Sequence, residues 1–175
     1  MRRFLLYGVV MKTKSKDTQT QYELVRELIE KNMHITSAES CTGGMIAASI
    51  VDVPDASRVL SSALVTYSEE AKTKLLSVRL EYIRQFGVVS EQVAALMALG
   101  AARNAGAEAA ISTTGVAGPS GGSKEIPVGT VCFGFFLDEK VTTVTARFEG
   151  DRNTVREAAT EFALRKMLEL VKNRA

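Results

Sequence analysis

The chain of 175 residues is poor in side chains that bind metals or form cross-links: it has two cysteines, Cys41 and Cys132, and a single histidine, His34. With no C-x-x-C pair and no second histidine, the usual structural zinc sets cannot be assembled. No metal or cofactor is expected, and the cysteine usage points to a reducing, cytoplasmic setting. Three prolines and no long polar tract leave little scope for disorder away from the ends. Charge of one sign is lacking too. The formal net charge is +2, with Lys and Arg scattered along the chain, whereas a nucleic-acid surface needs a clustered basic face. The apolar run "FLLYGVVM" (4–11) is too short to cross a membrane. Charged "KTKSKD" follows it with no small-residue cleavage site, so it does not read as a secretory signal. Residues 1–17 are expected to be a flexible extension or a short extra strand, with Met11 as an alternative start, and 18–175 to be the folded domain.

What is present is ordinary for a globular domain: 46% hydrophobic and 24% charged residues, in a chain long enough to bury a core. Residues 19–33 carry Tyr22, Leu24, Val25, Leu28 and Ile29 at helical spacing, with Asp17 or Thr18 as cap. "HITSA" reads as a short buried strand and "GGMIAASIVDV" as a helix stopping before Pro54. "RVLSSALVTYS" reads as a second strand, followed by the short helices "SEEAKTKLL" and "LEYIRQFG". A long helix follows, capped by Ser90, lined by Val93, Leu96, Met97 and Gly100, and ended by Gly106. "EAAISTTG" is a third strand. "GTVCFGFFL" and "VTTVTARFE" form a hairpin about a tight turn at Asp138–Lys140. A final helix starts near Asp151 or Asn153 and faces the core with Val155, Ala158, Ala159, Phe162, Leu168 and Val171. The order α-β-α-β-α-α-α-β-β-β-α predicts an α/β fold: a three-layer α/β/α sandwich with a mixed sheet of about five strands.

Ligands of open α/β sheets bind at the carboxyl ends of strands. Three segments there carry polar side chains: "AESCTGG" (38–44), "TYSEEAK" (66–72) and the loop "STTGVAGPSGGSKEIPVG" (112–129). In the first, Ser40 could be a nucleophile, with N–H groups at the following helix start as oxyanion donors. Ser40 or Thr42 could equally be plain helix caps. Cys41 could be a thiolate activated by the helix start, or a small hydrophobe packed beneath the turn. Neighbouring residues of such a turn point apart, so Ser40 and Cys41 are not both expected to face a substrate. His34 begins the strand that ends at Ser40, about 16–20 Å away at ~3.3 Å per residue, so a Ser-His-Asp triad is not expected. A lysine of lowered pKa can replace the histidine. Lys72 is the best-placed candidate, with Tyr67 to relay or position a proton, although a helix lysine is ordinarily solvated. The third segment has neither G-x-G-x-x-G nor the Walker pattern. Its composition suits a backbone nest for an anion or carbonyl, and Arg152 in "EGDR" is a candidate phosphate partner or a solvated charge beside a cap.

Together "AESCTGG", "VTYSEEAK", "GVVSEQV", "TGVAGPSGGSKEIPVGTV" and "GDRNTVR" closely resemble, in order and spacing, the C-terminal domain of competence/damage-inducible protein CinA. That domain also occurs alone as a nicotinamide mononucleotide deamidase. The resemblance covers roughly residues 20–173. It implies a three-layer α/β/α fold and hydrolysis of the carboxamide of nicotinamide mononucleotide to nicotinate mononucleotide and ammonia, without metal or cofactor. It maps the nucleophile onto Ser40, with Tyr67 and Lys72 as activating partners. Thr114, Gly115 and Arg152 map as substrate-contacting groups, and Thr42, Gly43 and Gly44 at the helix start are further candidates for substrate contact. It further implies a homo-oligomer, and no activity of the molybdopterin-cofactor-like domain that precedes this one in many family members. A nucleotide-binding module with little chemistry, serving a partner protein, is the alternative. The two differ in whether Ser40, Tyr67 and Lys72 meet within hydrogen-bond reach.

Overall fold

The computed structural model describes residues 19–174. The expectations for residues 1–17, and for Asp17 or Thr18 as a helix cap, lie outside the described residues. In chain order the elements are α1 (Gln19–Glu30), β1 (Ile35–Glu39), α2 (Met45–Val51), β2 (Leu64–Val65), α3 (Glu69–Leu76), α4 (Leu80–Phe86), α5 (Glu91–Ala105), β3 (Ala109–Gly115), β4 (Thr130–Leu137), β5 (Lys140–Arg147) and α6 (Arg152–Lys172), with a 3-10 turn at Ala56–Arg58 before β2. The sheet has five strands in the order β2-β1-β3-β4-β5. β1 runs parallel to both β2 and β3, and β4 and β5 close the sheet as antiparallel neighbours. This is the expected mixed sheet between two helical layers.

Alternation along the strands divides the interior into two cores. Ile35, Ile111, Phe133 and Phe135 face α1, α2 and α6, where the Phe133 and Phe162 rings lie 4.8 Å apart. Ala38, Ala110 and Phe136 face the opposite layer, against Val93, Met97 and Ala101 of α5. Small residues on that second face bring α5 close to the sheet. The helix ends follow the sequence signals: Ser90 accepts from Val93 N, Asp151 from Thr154 N, and Gly106 closes α5 in a left-handed conformation.

Three details differ from expectation. β2 is only two residues long, with one further bridge at Leu60; it is an edge strand paired on one side, and Val59 is spent on the core before the strand begins. Tyr22 is 45% exposed, because it lies about 110° round the helix from the centre of the Leu24–Val25–Leu28 stripe. The hairpin turn is Asp138–Glu139, both at positive φ, as a two-residue turn of matching twist requires; Lys140 already belongs to β5.

Gly100 sits where α5 crosses the end of α3, and a Cβ there would lie 2.1 Å from the Leu76 carbonyl oxygen. Alanine normally gains ~1 kcal/mol over glycine inside a helix. Here the overlap with rigid backbone reverses the sign. Gly100→Ala is expected to destabilise by about 2 kcal/mol, lowering Tm by roughly 5 °C in thermal unfolding. A Tm at or above wild type would contradict this packing.

Candidate active site

Because β1, β2 and β3 are parallel, their carboxyl ends open on one edge of the sheet. A cavity of about 340 Å³ lies there, bordered by Ser40 and Cys41 after β1, Tyr67, Ser68, Glu69 and Lys72 after β2, Thr114, Gly115 and Ala117 at β3, Val88 and Val89 before α5, and Arg152 at the start of α6. Five segments distant in sequence thus meet at one opening.

At the floor, Lys72 Nζ donates to Ser40 Oγ at 3.0 Å and to the Thr66 carbonyl at 2.7 Å. Lys72 is 1% exposed, not the solvated residue that its polar helix suggests. Burial holds its pKa below the ordinary lysine range, against smaller opposing effects of Cys41 and Glu69. A neutral amine carries two N–H donors and one lone pair. It can keep the Thr66 bond and turn its lone pair toward the Ser40 hydroxyl, which is the geometry a general base requires.

Glu39, fully buried at the end of β1, governs the turn that follows. Its carboxylate accepts from Ser37 Oγ at 2.9 Å and from the backbone N–H groups of Gly44, Ile46 and Ala47 at 2.9, 3.1 and 2.9 Å. The start of α2 is therefore satisfied by the protein's own carboxylate. Two expectations are corrected by this. The N-cap is Gly44, with neither Ser40 nor Thr42 capping the helix, and the helix start is not open to a substrate anion. Gly43 N donates to the Ser40 carbonyl, so it too is committed. Gly43 and Gly44 serve the turn through their left-handed φ of 61° and 97°, which side chains disfavour. They do not border the cavity, and neither does Thr42, whose buried hydroxyl lies 2.8 Å from Thr113 Oγ1.

Cys41, although buried, borders the cavity beside Ser40. Burial raises its thiol pKa to about 11, so it stays protonated at neutral pH and is a poor nucleophile. Tyr67 is 63% exposed and makes no hydrogen bond to Ser40 or Lys72; its hydroxyl accepts from Arg152 Nη2 at 2.8 Å. Arg152 also donates to the Gly118 carbonyl at 2.9 Å. Thr114 lines the cavity with its hydroxyl already donated to Val88 O at 2.7 Å, and Gly115 exposes backbone there. His34 pairs with Glu108 at the opposite end of β1.

Sequence reasoning missed two residues. Glu39 was signalled by being the one acidic residue in a wholly buried strand. Arg156 donates to the carbonyls of Cys41 and Thr42 at 3.1 and 3.0 Å; its signal is the i, i+4 step from Arg152, which puts both on one side of α6.

The geometry defines an α/β/α protein with a Ser–Lys pair, its lysine buried, at the carboxyl edge of a mixed sheet. Residues 17–171 match the family model of the CinA C-terminal domain. A nicotinamide-nucleotide amidohydrolase PncC of Enterobacter agglomerans is 48% identical over 153 residues, which are 86% of this chain and 93% of that protein. A CinA-like protein of Mycobacterium tuberculosis is 46% identical over 86% of this chain but 35% of its own length. The chain thus spans about a third of that relative, and of a competence-damage inducible protein of Clostridium beijerinckii of which it covers 36%. Among solved structures, a CinA superfamily protein of Klebsiella pneumoniae superposes with a TM-score of 0.87 at 34% identity, covering 91% of this chain and all of that one. One of Escherichia coli gives 0.83 at 37% identity, over 90% and 94%. The chain belongs to the CinA C-terminal domain family.

Lys72 yields a prediction independent of turnover. Its folded pKa lies below its unfolded one, so between the two values the unfolded chain binds more protons and stability rises with pH. Lys72→Met removes this dependence. The stability of wild type relative to the variant is therefore expected to climb as pH rises from the lowered value into the ordinary lysine range, in denaturant titrations. A flat difference would mean that the lysine titrates normally.

Proposed function

We propose that this protein is an amidohydrolase that deamidates nicotinamide mononucleotide to nicotinate mononucleotide and ammonia, with Ser40 as nucleophile and Lys72 as its base. The observation that carries the reading is the 3.0 Å contact between Ser40 Oγ and a lysine deprived of solvent, inside a cavity of about 340 Å³. The amidohydrolase named among the relatives supplies the substrate class.

Lys72 takes the Ser40 proton as Oγ bonds to the carboxamide carbon and the carbonyl π pair moves onto oxygen. Collapse of that tetrahedral centre breaks the C–N bond, and the proton on Lys72 passes to the leaving nitrogen, giving ammonia and an ester on Ser40. Water then attacks the ester, Lys72 accepts its proton and returns one to Ser40 Oγ, and the carboxylate leaves. Atoms balance as amide plus water to carboxylate plus ammonium.

Tyr67, in this reading, acts on the substrate side and not as a partner of the serine. Its hydroxyl is oriented by Arg152, and the pair at the cavity mouth receives the mononucleotide, with the guanidinium toward the phosphate. Thr114 and Gly115 border the reacting group from β3. Gly43, Gly44 and the side chain of Thr42 drop out as substrate contacts because their polar groups are committed elsewhere.

Ammonia release from nicotinamide mononucleotide tests the reading. Ser40→Ala is expected to lower kcat by about a thousandfold or more; no release from wild type would sink the function, and equal release from both would sink the nucleophile. In a pH–rate profile kcat/KM is expected to rise with an acid limb set by Lys72, below the ordinary lysine range, since only the neutral amine can accept the serine proton. Arg152→Ala is expected to raise KM more than it lowers kcat.

A further inference from the structure

We infer that Arg156 is a positioning residue that aims two backbone N–H groups, those of Cys41 and Thr42, at the oxyanion formed when Ser40 attacks a carbonyl. The inference rests on the proposed role of Ser40 and adds the missing electrostatic half of the reaction.

Donors in the turn can be accounted for one by one. Ser40 N donates to Thr113 O, Gly43 N to Ser40 O, Met45 N to Thr42 O, and Gly44, Ile46 and Ala47 N to the Glu39 carboxylate. Among the described residues, Cys41 N and Thr42 N have no oxygen acceptor; they lie beside the Cys41 sulfur, a weak acceptor as a thiol. These are the N–H groups adjoining Ser40 on the side of the chain that enters the helix, where an oxyanion hole for a serine nucleophile is wanted.

Their direction is fixed through the peptide planes. In a trans peptide the C=O of one residue and the N–H of the next point oppositely. Arg156 holds the Cys41 carbonyl through Nε, which turns Thr42 N–H away from the arginine. It holds the Thr42 carbonyl through Nη2, which turns Gly43 N–H away in the same manner. Gly43 N–H in turn holds the Ser40 carbonyl and so orients Cys41 N–H. One planar guanidinium thus fixes three successive peptide planes, two directly and one through Gly43. Ser40 and Cys41 are walls of the cavity and Arg156 is not, so the arginine acts from behind the turn. Gly43 leaves room for it: a Cβ there would come within 3.3 Å of Nη2.

The test is Arg156→Ala and Arg156→Gln, with folding checked by thermal unfolding, read in two ways. One is ammonia release from nicotinamide mononucleotide. The other is the rate at which a fluorophosphonate becomes attached to Ser40, followed by intact mass; this needs the same oxyanion donors but no nicotinamide recognition. Misaimed donors are expected to lower kcat by about ten- to a hundredfold, below the full loss of a donor, with KM within twofold of wild type and labelling slowed in parallel. Either folded variant with kcat and labelling within twofold of wild type would overturn the inference, as would a rise in KM at unchanged kcat. If wild type is labelled but releases no ammonia, the deamidase reading fails, and the labelling rates alone decide the role of Arg156.

Discussion

Everything at the site hangs on one enclosed lysine. The hydrogen-bond partners of Lys72 are both neutral, a serine hydroxyl and a main-chain carbonyl. Desolvation therefore outweighs the smaller opposing effects of Cys41 and the exposed Glu69, and the amine is biased toward its neutral form. That bias is destabilising to the fold near neutral pH, since an ordinary lysine would be protonated in water. Apolar neighbours at Leu76 and Val78, both buried, keep α3 packed while its first turn carries the burden. An apolar side chain such as methionine would be more stable here; an amine at this position fits, under the proposed function, the exchange of stability for reactivity that active sites make.

The sheet topology explains how such remote segments converge. Parallel pairing of β1 with β2 and β3 puts the ends of three strands at one edge, and the antiparallel β4–β5 hairpin returns the chain there through Arg147 and Phe148. α6 can then begin at that edge with Arg152 over the cavity mouth and, one turn later, Arg156 behind the Ser40 turn. A single helix start thus serves two sides of the same loop.

The fold was largely legible because its signals are local. Helical spacing in α1, α5 and α6, the caps Ser90 and Asp151, and the terminating Gly106 each follow from neighbours in sequence. β2 was not, since a two-residue edge strand carries almost no periodic pattern. At the site, Ser40, Lys72, Tyr67 and Arg152 could be picked out by their position after strands, and Thr114 and Gly115 through the family resemblance; all border the cavity. What sequence could not supply was commitment: the Thr42 hydroxyl and Gly44 N–H offer the right atoms, but Thr113 and Glu39 have already taken them. Such pairings depend on register between β1 and β3 and on which face of the strand meets α2. Spacing cannot reveal either.

The placement of Glu39 has a further consequence for how a charged substrate would lie. A helix start beside a nucleophile ordinarily invites an anion. Here that position holds a buried carboxylate, so a second negative group would meet repulsion in a medium of low dielectric. Positive charge is offered instead at the other rim, by Arg152 with Tyr67. Under the proposed function, a mononucleotide would put its phosphate at the mouth beside Arg152 and its uncharged carboxamide toward Ser40, the orientation that amide hydrolysis requires.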